Sequence, residues 1–139
     1  MEITTEQRGD VSVVRLDGEL DASNFEEVIE TARTVRDSGA RALVFDMSGL
    51  TYMGSAGLVA IHSAAILMSG GEPPSPEDGW DALHQLSYDV SAGRMREAVK
   101  LAAPPPTVDR VLERTGLKRL FEIHPDVESA VAAARPTPA

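Results

Sequence analysis

The sequence predicts an α/β fold, in which one domain has a small mixed β-sheet flanked by about four helices. Patterns typical of strands and helices alternate along most of the 139 residues. A continuous apolar run at 41–47 follows a helical pattern, as expected for a parallel strand that is covered on both faces. A hairpin pattern before that helix supplies the antiparallel part of the sheet.

The first half of the chain predicts a hairpin followed by a crossover helix. β-branched residues with partial alternation, together with an Asp-Gly turn pair, mark a strand at 11–20 that pairs with a strand at 2–7. Apolar residues at three- and four-residue intervals mark a helix within 21–39. Since this helix lies between two strands, a parallel crossover is the natural connection.

The second half continues the alternation, and its helices are bounded by glycine or proline. Residues 55–68 are apolar on most of a helical circumference, so this helix is expected to be largely buried. The remaining predicted segments are a loop at 48–54, a strand at 98–102, a helix that ends at Gly116, a strand at 120–124 and a last helix at 125–134. We expect one domain over 1–135 and a disordered tail at 136–139.

Composition limits the classes of function. Thirteen Lys and Arg against 22 Asp and Glu give a formal net charge of −9, which argues against binding of nucleic acid. Cysteine is absent, and His62, His84 and His124 lack the spacing of metal ligands. There is no glycine-rich phosphate-binding motif, so no metal or other cofactor is expected. Without a leader pattern or a membrane-spanning apolar run, we expect a cytoplasmic protein that does not contact membranes.

An acidic segment at about 70–93 interrupts the pattern. It is rich in proline and acidic residues and has neither Lys nor Arg. Two aromatic residues in it, Trp80 and Tyr88, allow two interpretations. In the first, Trp80 covers a local patch of the sheet edge or of a helix together with Leu83 and Leu86. In the second, Trp80 and Tyr88 anchor a partner or a second copy of the chain in a homodimer. The sequence leaves both interpretations open.

Ser55 is the candidate functional residue, at the start of the predicted buried helix. The first N–H groups of a helix lack intrahelical partners and carry the positive end of its dipole. One interpretation is a plain N-cap serine, with glycines that permit a tight turn. The other is a modification site, because the small neighbours Gly54, Ala56 and Gly57 leave the hydroxyl accessible and a phosphate is tolerated at a helix start.

A hydrolytic role for Ser55 is not supported. The order of residues is not G-x-S-x-G, and no His and acid pair follows in convincing positions. His62 lies about two turns further along the same predicted helix. We therefore expect no catalytic residue and a protein that is not an enzyme.

Three segments, RLDGELDASN, LVFDMSGLTYMGSAGLVAI and VDRVLERTGLKRLF, resemble in order and spacing the STAS domain of bacterial anti-sigma factor antagonists. The resemblance covers nearly the whole chain except about 70–93. It implies a small mixed sheet flanked by helices. It also implies a protein that binds an anti-sigma factor, itself a serine kinase, and thereby releases a sigma factor for transcription. Phosphorylation at the start of the second helix would stop this binding, and a phosphatase would restore it.

The resemblance places the phosphoacceptor on Ser55 and the partner-binding surface on Asp21 and the turn Gly54-Ser55-Ala56-Gly57. The family pattern at this turn is Asp-Ser-Ser/Ala-Gly, so Gly54 removes a charge from the contact surface. An alternative function is a scaffold or sensor subunit of a larger signalling assembly, in which Ser55 is not phosphorylated and the acidic segment carries the contacts. For Asp21 the alternative is an N-cap of the first helix, a role for which Ser23 is the other candidate.

Overall fold

A five-stranded mixed sheet forms the middle of the protein. The structure, a computed structural model, describes residues 1–71 and 97–134. In these residues the strands are β1 (Glu2–Arg8), β2 (Val11–Leu20), β3 (Ala42–Met53), β4 (Val99–Ala102) and β5 (Glu122–His124), and the helices are α1 (Phe25–Asp37), α2 (Ser55–Met68), α3 (Pro106–Thr115), α4 (Leu117–Leu120) and α5 (Val127–Ala134). The predicted α/β class with a mixed sheet is confirmed.

The strands lie side by side in chain order. β1 and β2 form the predicted antiparallel hairpin, with Arg8 opposite Val11 and a turn at Gly9, whose φ of +68° favours glycine. Each later strand is parallel to the one before it, with a helix in the connection wherever the structure describes it. The carboxyl ends of β2 to β5 therefore share one edge of the sheet, where α1 and α2 begin.

Helices cover both faces of the sheet, because neighbouring residues in a strand point to opposite sides. Phe45 belongs to the main core, to which α1, α2, α3 and α4 contribute buried side chains. Val44, one residue earlier, belongs to a smaller apolar cluster under α5, with Ala130 and Val131 of that helix. β3 is thus covered on both faces, as its unbroken apolar run predicts.

α2 is buried on most of its circumference, which confirms the prediction from its composition. It begins at Ser55 and ends at Met68, the bounds that the sequence indicated. Its first turn has no acidic residue and its last turn has no basic residue, so charged side chains do not define a solvent-facing side at either end. It packs against α1 and the sheet, so Ser55 is the exposed end of an otherwise buried element.

β3 is longer than predicted, and the expected loop at 48–54 is wrong. The strand continues to Met53, because β2 runs beside it as far as Leu20 with two register shifts on the way. Glu19 is opposite Tyr52, and Leu20 is opposite Met53. This pairing depends on contacts between distant parts of the chain, which a polar, glycine-containing sequence does not reveal.

Other boundaries differ in smaller ways. The last strand begins at Glu122 rather than at 120, because the one-turn helix α4 takes up Leu117–Leu120. Gly116 ends α3 as predicted, in a left-handed conformation with φ of 81°. Most of the acidic segment, with Trp80, His84 and Tyr88, and the tail at 136–139 lie outside the described residues, so those expectations stay predictions.

Candidate functional site

The start of α2 is fastened to the end of β2. The N–H of Gly54 donates a hydrogen bond to the carbonyl oxygen of Leu20 at 2.9 Å. Asp21 follows Leu20 directly, and Ser55 follows Gly54 directly. The fold therefore brings Asp21 and Ser55, which are far apart in sequence, to the same edge of the sheet.

Ser55 is exposed and is not the N-cap of α2. Gly54 occupies the N-cap position with an extended backbone, and no side chain caps the first turn. The N-cap interpretation of Ser55 is thus wrong, because the helix begins one residue earlier than a capping serine requires, at Ser55 itself. In the part of the chain that the structure describes, no hydrogen bond engages the Ser55 hydroxyl. Its oxygen is accessible for chemistry or for contact with another protein.

The small residues around Ser55 serve different purposes. Gly54 and Ala56 are partly exposed, whereas Gly57 is buried. A Cβ on Gly57 would lie 2.5 Å from Cγ of Met53 and 3.0 Å from Cδ2 of Leu20. Gly57 therefore permits close packing of α2 on the strand ends, and its burial does not support the predicted direct contact with a partner.

Asp21 is partly exposed and does not cap α1. The N-cap of α1 is Asn24, so the cap interpretations of Asp21 and Ser23 are wrong. Asp21 instead closes a local turn, because its Oδ1 accepts hydrogen bonds from the hydroxyl of Ser23 at 2.5 Å and from the N–H of Ser23 at 2.9 Å. These two hydrogen bonds lower the pKa of Asp21, the hydroxyl having the larger effect. The carboxylate is charged at neutral pH and stands beside the Ser55 edge.

Tyr52 is a site residue that the sequence reasoning missed. It is 53% exposed, and it lies near the end of β3, three residues before Ser55. Its ring lies against the backbone of Gly54, where a Cβ would be 3.2 Å from the Tyr52 hydroxyl oxygen and 3.4 Å from Cε1. An aromatic residue so close to the candidate serine was a signal in the sequence, but its exposure depends on the extension of β3.

The surface around Ser55 is acidic. Between Arg15 and Arg33 the chain has no Lys or Arg, and the segment 42–71 has none either. Glu19, Asp21 and the first-turn residues Glu26 and Glu27 of α1 are all acidic. A phosphate on Ser55 would meet the free N–H groups of α2 but no cationic side chain from these segments.

His62 does not form a catalytic pair with Ser55. It is 5% exposed, whereas Ser55 is exposed, and the two lie two turns apart on α2. Its Nε2 has no hydrogen-bond partner, and burial lowers the pKa of the imidazole. His62 is therefore a neutral core residue at pH 7.

Residues 1–71 and 97–134 contain neither a cluster of metal-ligating side chains nor a membrane-spanning helix. No group of three or more His, Asp or Glu side chains is arranged to hold a metal ion. No described helix is both long and apolar enough to cross a membrane. The edge of the sheet at Ser55 presents one free hydroxyl, one exposed aromatic ring and several carboxylates.

Comparisons with solved structures show the fold of anti-sigma factor antagonists. An anti-sigma factor antagonist from Mycobacterium paratuberculosis is 22% identical, with a TM-score of 0.67 over 97% of this chain and 94% of that one. The antagonist SpoIIAA in its unphosphorylated form is 20% identical, with a TM-score of 0.67 over 99% and 100%. The Bacillus cell fate determinant SpoIIAA in its phosphorylated form is 18% identical, with a TM-score of 0.57 over 96% and 100%.

Family assignment agrees with the fold. Residues 2–68, from β1 to the end of α2, match the model of the STAS domain family. This range contains Asp21, Tyr52 and Ser55. No curated protein shows significant similarity to the chain. Over residues 2–68 the chain is therefore similar to the STAS domain family.

Proposed function

We propose that this protein is an anti-sigma factor antagonist that is regulated by phosphorylation of Ser55. It binds an anti-sigma factor that is also a serine kinase, and it thereby releases a sigma factor in the cytoplasm, where transcription takes place. The protein acts by binding rather than by catalysis. The observation that carries the proposal is that the hydroxyl of Ser55 is exposed and does not cap the helix, and that it lies on the same edge of the sheet as the Asp21 carboxylate.

The position of Ser55 suits a reversible switch that leaves the fold unchanged. Its side chain is exposed at the end of a buried helix, so an added phosphate would displace no core residue. The free N–H groups at the start of α2 would tolerate the added charge. The modification would therefore act on the binding surface and not on stability, and a phosphatase could reverse it.

The same phosphate would oppose binding to the kinase. A kinase that transfers phosphate to Ser55 must bring its nucleotide phosphates against this residue. After transfer, up to two negative charges on Ser55 would face the remaining nucleotide phosphates and would have to be desolvated in the interface. The residues Glu19, Asp21 and Glu26 are acidic, and the segments 16–32 and 42–71 contain no Lys or Arg side chain that would compensate that cost.

The test combines phosphate mapping with binding. Purified anti-sigma factors with serine kinase activity from the native host are incubated with the protein and ATP, and mass spectrometry locates the phosphate. Ser48→Ala is the matched control for Ser55→Ala, because Ser48 is also exposed but its hydroxyl donates to Asp46 Oδ1 at 2.8 Å. We expect phosphate on Ser55 in the wild type and in Ser48→Ala. Phosphate at another residue, or none with any such kinase, would overturn the regulatory part of the proposal.

A further inference from the structure

Tyr52 stands out among the exposed side chains of the described residues. Among the large hydrophobic residues that the structure describes, Tyr52 is the exposed one, at 53%, and it lies on the same edge of the sheet as Ser55. A single exposed aromatic ring is unremarkable by itself. Two neighbours, Gly54 and Glu19, distinguish the Tyr52 ring from an isolated exposed aromatic residue.

Gly54 supports one side of the Tyr52 ring. The ring lies where a side chain on residue 54 would begin, because a Cβ there would be 3.2 Å from the Tyr52 hydroxyl oxygen and 3.6 Å from Cζ. The backbone of Gly54 is itself held by its hydrogen bond to Leu20 at 2.9 Å. The ring thus rests on a fixed strand end, so less side-chain freedom is lost when a partner binds it.

Glu19 is the neighbour of Tyr52 on the adjacent strand. The two residues are register partners in the parallel β2–β3 pair, and both are exposed. The carbonyl oxygen of Glu19 accepts a hydrogen bond from Nδ2 of Asn24 at 2.7 Å, which holds the strand end in place. Within residues 1–71 and 97–134, the carboxylate of Glu19 has no ion-pair partner.

An aromatic ring and a carboxylate without an ion pair, on paired positions of two neighbouring strands, are complementary to a cation. A Lys or Arg side chain is attracted both by the face of the ring and by the carboxylate charge. The strand ends and helix starts around this pair supply no such side chain, since there is no Lys or Arg between Arg15 and Arg33 or within 42–71. The pair is therefore complementary to a Lys or Arg side chain of another molecule.

We propose that Tyr52 and Glu19 together bind a Lys or Arg side chain of the protein partner and so determine which partner docks on the Ser55 edge. The proposal rests on the proposed function, which supplies the class of partner. It assigns separate tasks to neighbouring residues, because Ser55 faces the phosphate-transferring site of the kinase and the Tyr52–Glu19 pair selects its docking surface.

Calorimetric titration of the purified anti-sigma factor tests this assignment with five forms of the protein. These are the wild type, Tyr52→Thr, Tyr52→Phe, Glu19→Gln and the charge-matched control Glu113→Gln, whose site is an exposed position late in α3. Threonine is a good strand former, so Tyr52→Thr removes the ring while keeping the strand. Thermal unfolding of every form checks that the fold is retained.

We expect Tyr52→Thr to weaken binding by about tenfold or more, as for an aromatic residue at the centre of an interface. Tyr52→Phe keeps the ring face and should bind within about twofold of the wild type. Glu19→Gln should weaken binding and reduce its dependence on salt, whereas Glu113→Gln should change neither.

Three outcomes overturn the assignment or part of it, and they are distinguishable. If the wild type binds the anti-sigma factor and Tyr52→Thr binds it equally well, the role of Tyr52 is refuted while the proposed function stands. If the wild type binds no anti-sigma factor of the host, the proposed function fails and this assignment fails with it. Equal losses for Glu19→Gln and Glu113→Gln would show only a general effect of net charge and would refute the role of Glu19.

Discussion

The N–H of Gly54 lies 2.9 Å from the carbonyl oxygen of Leu20, and this hydrogen bond joins the start of α2 to the end of β2. It places Ser55 beside Asp21 although more than thirty residues separate them in the chain. The candidate site is therefore built on two strand ends and a helix start rather than on a flexible loop. Rigid elements of this kind hold a recognition surface in position before the partner arrives.

Ser55→Ala should leave the free energy of unfolding within about 0.5 kcal/mol of the wild-type value, because the exposed hydroxyl caps no helix. Chemical denaturation measures this difference. Ser55→Asp should be equally stable but should lose binding to the anti-sigma factor, since it adds charge to the contact surface. A loss of stability above about 1 kcal/mol for Ser55→Ala would show that the hydroxyl acts as a cap after all.

Gly57→Ala should destabilise the protein by about 1 to 3 kcal/mol, because its Cβ would lie 2.5 Å from Cγ of Met53 in a closely packed region. In an ordinary helix the same change stabilises, so the sign of the effect is informative. Gly54→Ala is the matched control, since its Cβ would meet the exposed side chain of Tyr52, which can move aside. Denaturant unfolding of both variants compares the two sites, and a Gly57→Ala protein as stable as the wild type would contradict the close packing.

Gly54→Asp should be tolerated by the fold and should change recognition. The backbone at Gly54, with φ −88° and ψ −176°, is extended and suits any residue. The new side chain would displace the Tyr52 ring and restore the acidic residue of the family pattern. If the kinase reads that charge, Ser55 is phosphorylated faster in Gly54→Asp than in the uncharged control Gly54→Asn. Equal rates would show that the charge at this position is not recognised.

Stability should fall with decreasing pH partly because of His62. Burial lowers the pKa of His62 in the folded protein below the usual histidine value of about 6.5, so the unfolded chain takes up the proton first as the pH falls. His62 contributes fully to the free energy of unfolding above about pH 6.5. This contribution is lost as the pH falls from there through the pKa of the folded protein, by at most about 1.4 kcal/mol per pH unit. Free energies of unfolding are measured at about four pH values between 7.5 and 5. They should decline less steeply with falling pH in His62→Leu than in the wild type. An identical slope in both proteins would contradict a neutral, buried His62.

Local patterns were sufficient for most of the fold and for the central residue of the site. The three- and four-residue spacing predicted α1, the apolar run predicted a strand covered on both faces, and the start of α2 was correct at Ser55. These signals are local because hydrophobic periodicity reflects which face of each element is buried.

Other features depended on contacts that no local pattern encodes. Asp21, Ser23 and Asn24 are all good N-cap residues, and the turn that Asp21 closes decided in favour of Asn24. The sequence around Tyr52 is typical of a loop, and only pairing with β2 made it a strand. The sequence by itself therefore determined the order of the elements and an accessible serine at a helix start. The tertiary structure alone decided that Asp21, Tyr52 and Ser55 share one surface and that Gly57 is buried beneath it, because register and packing arise between segments that are distant in the chain.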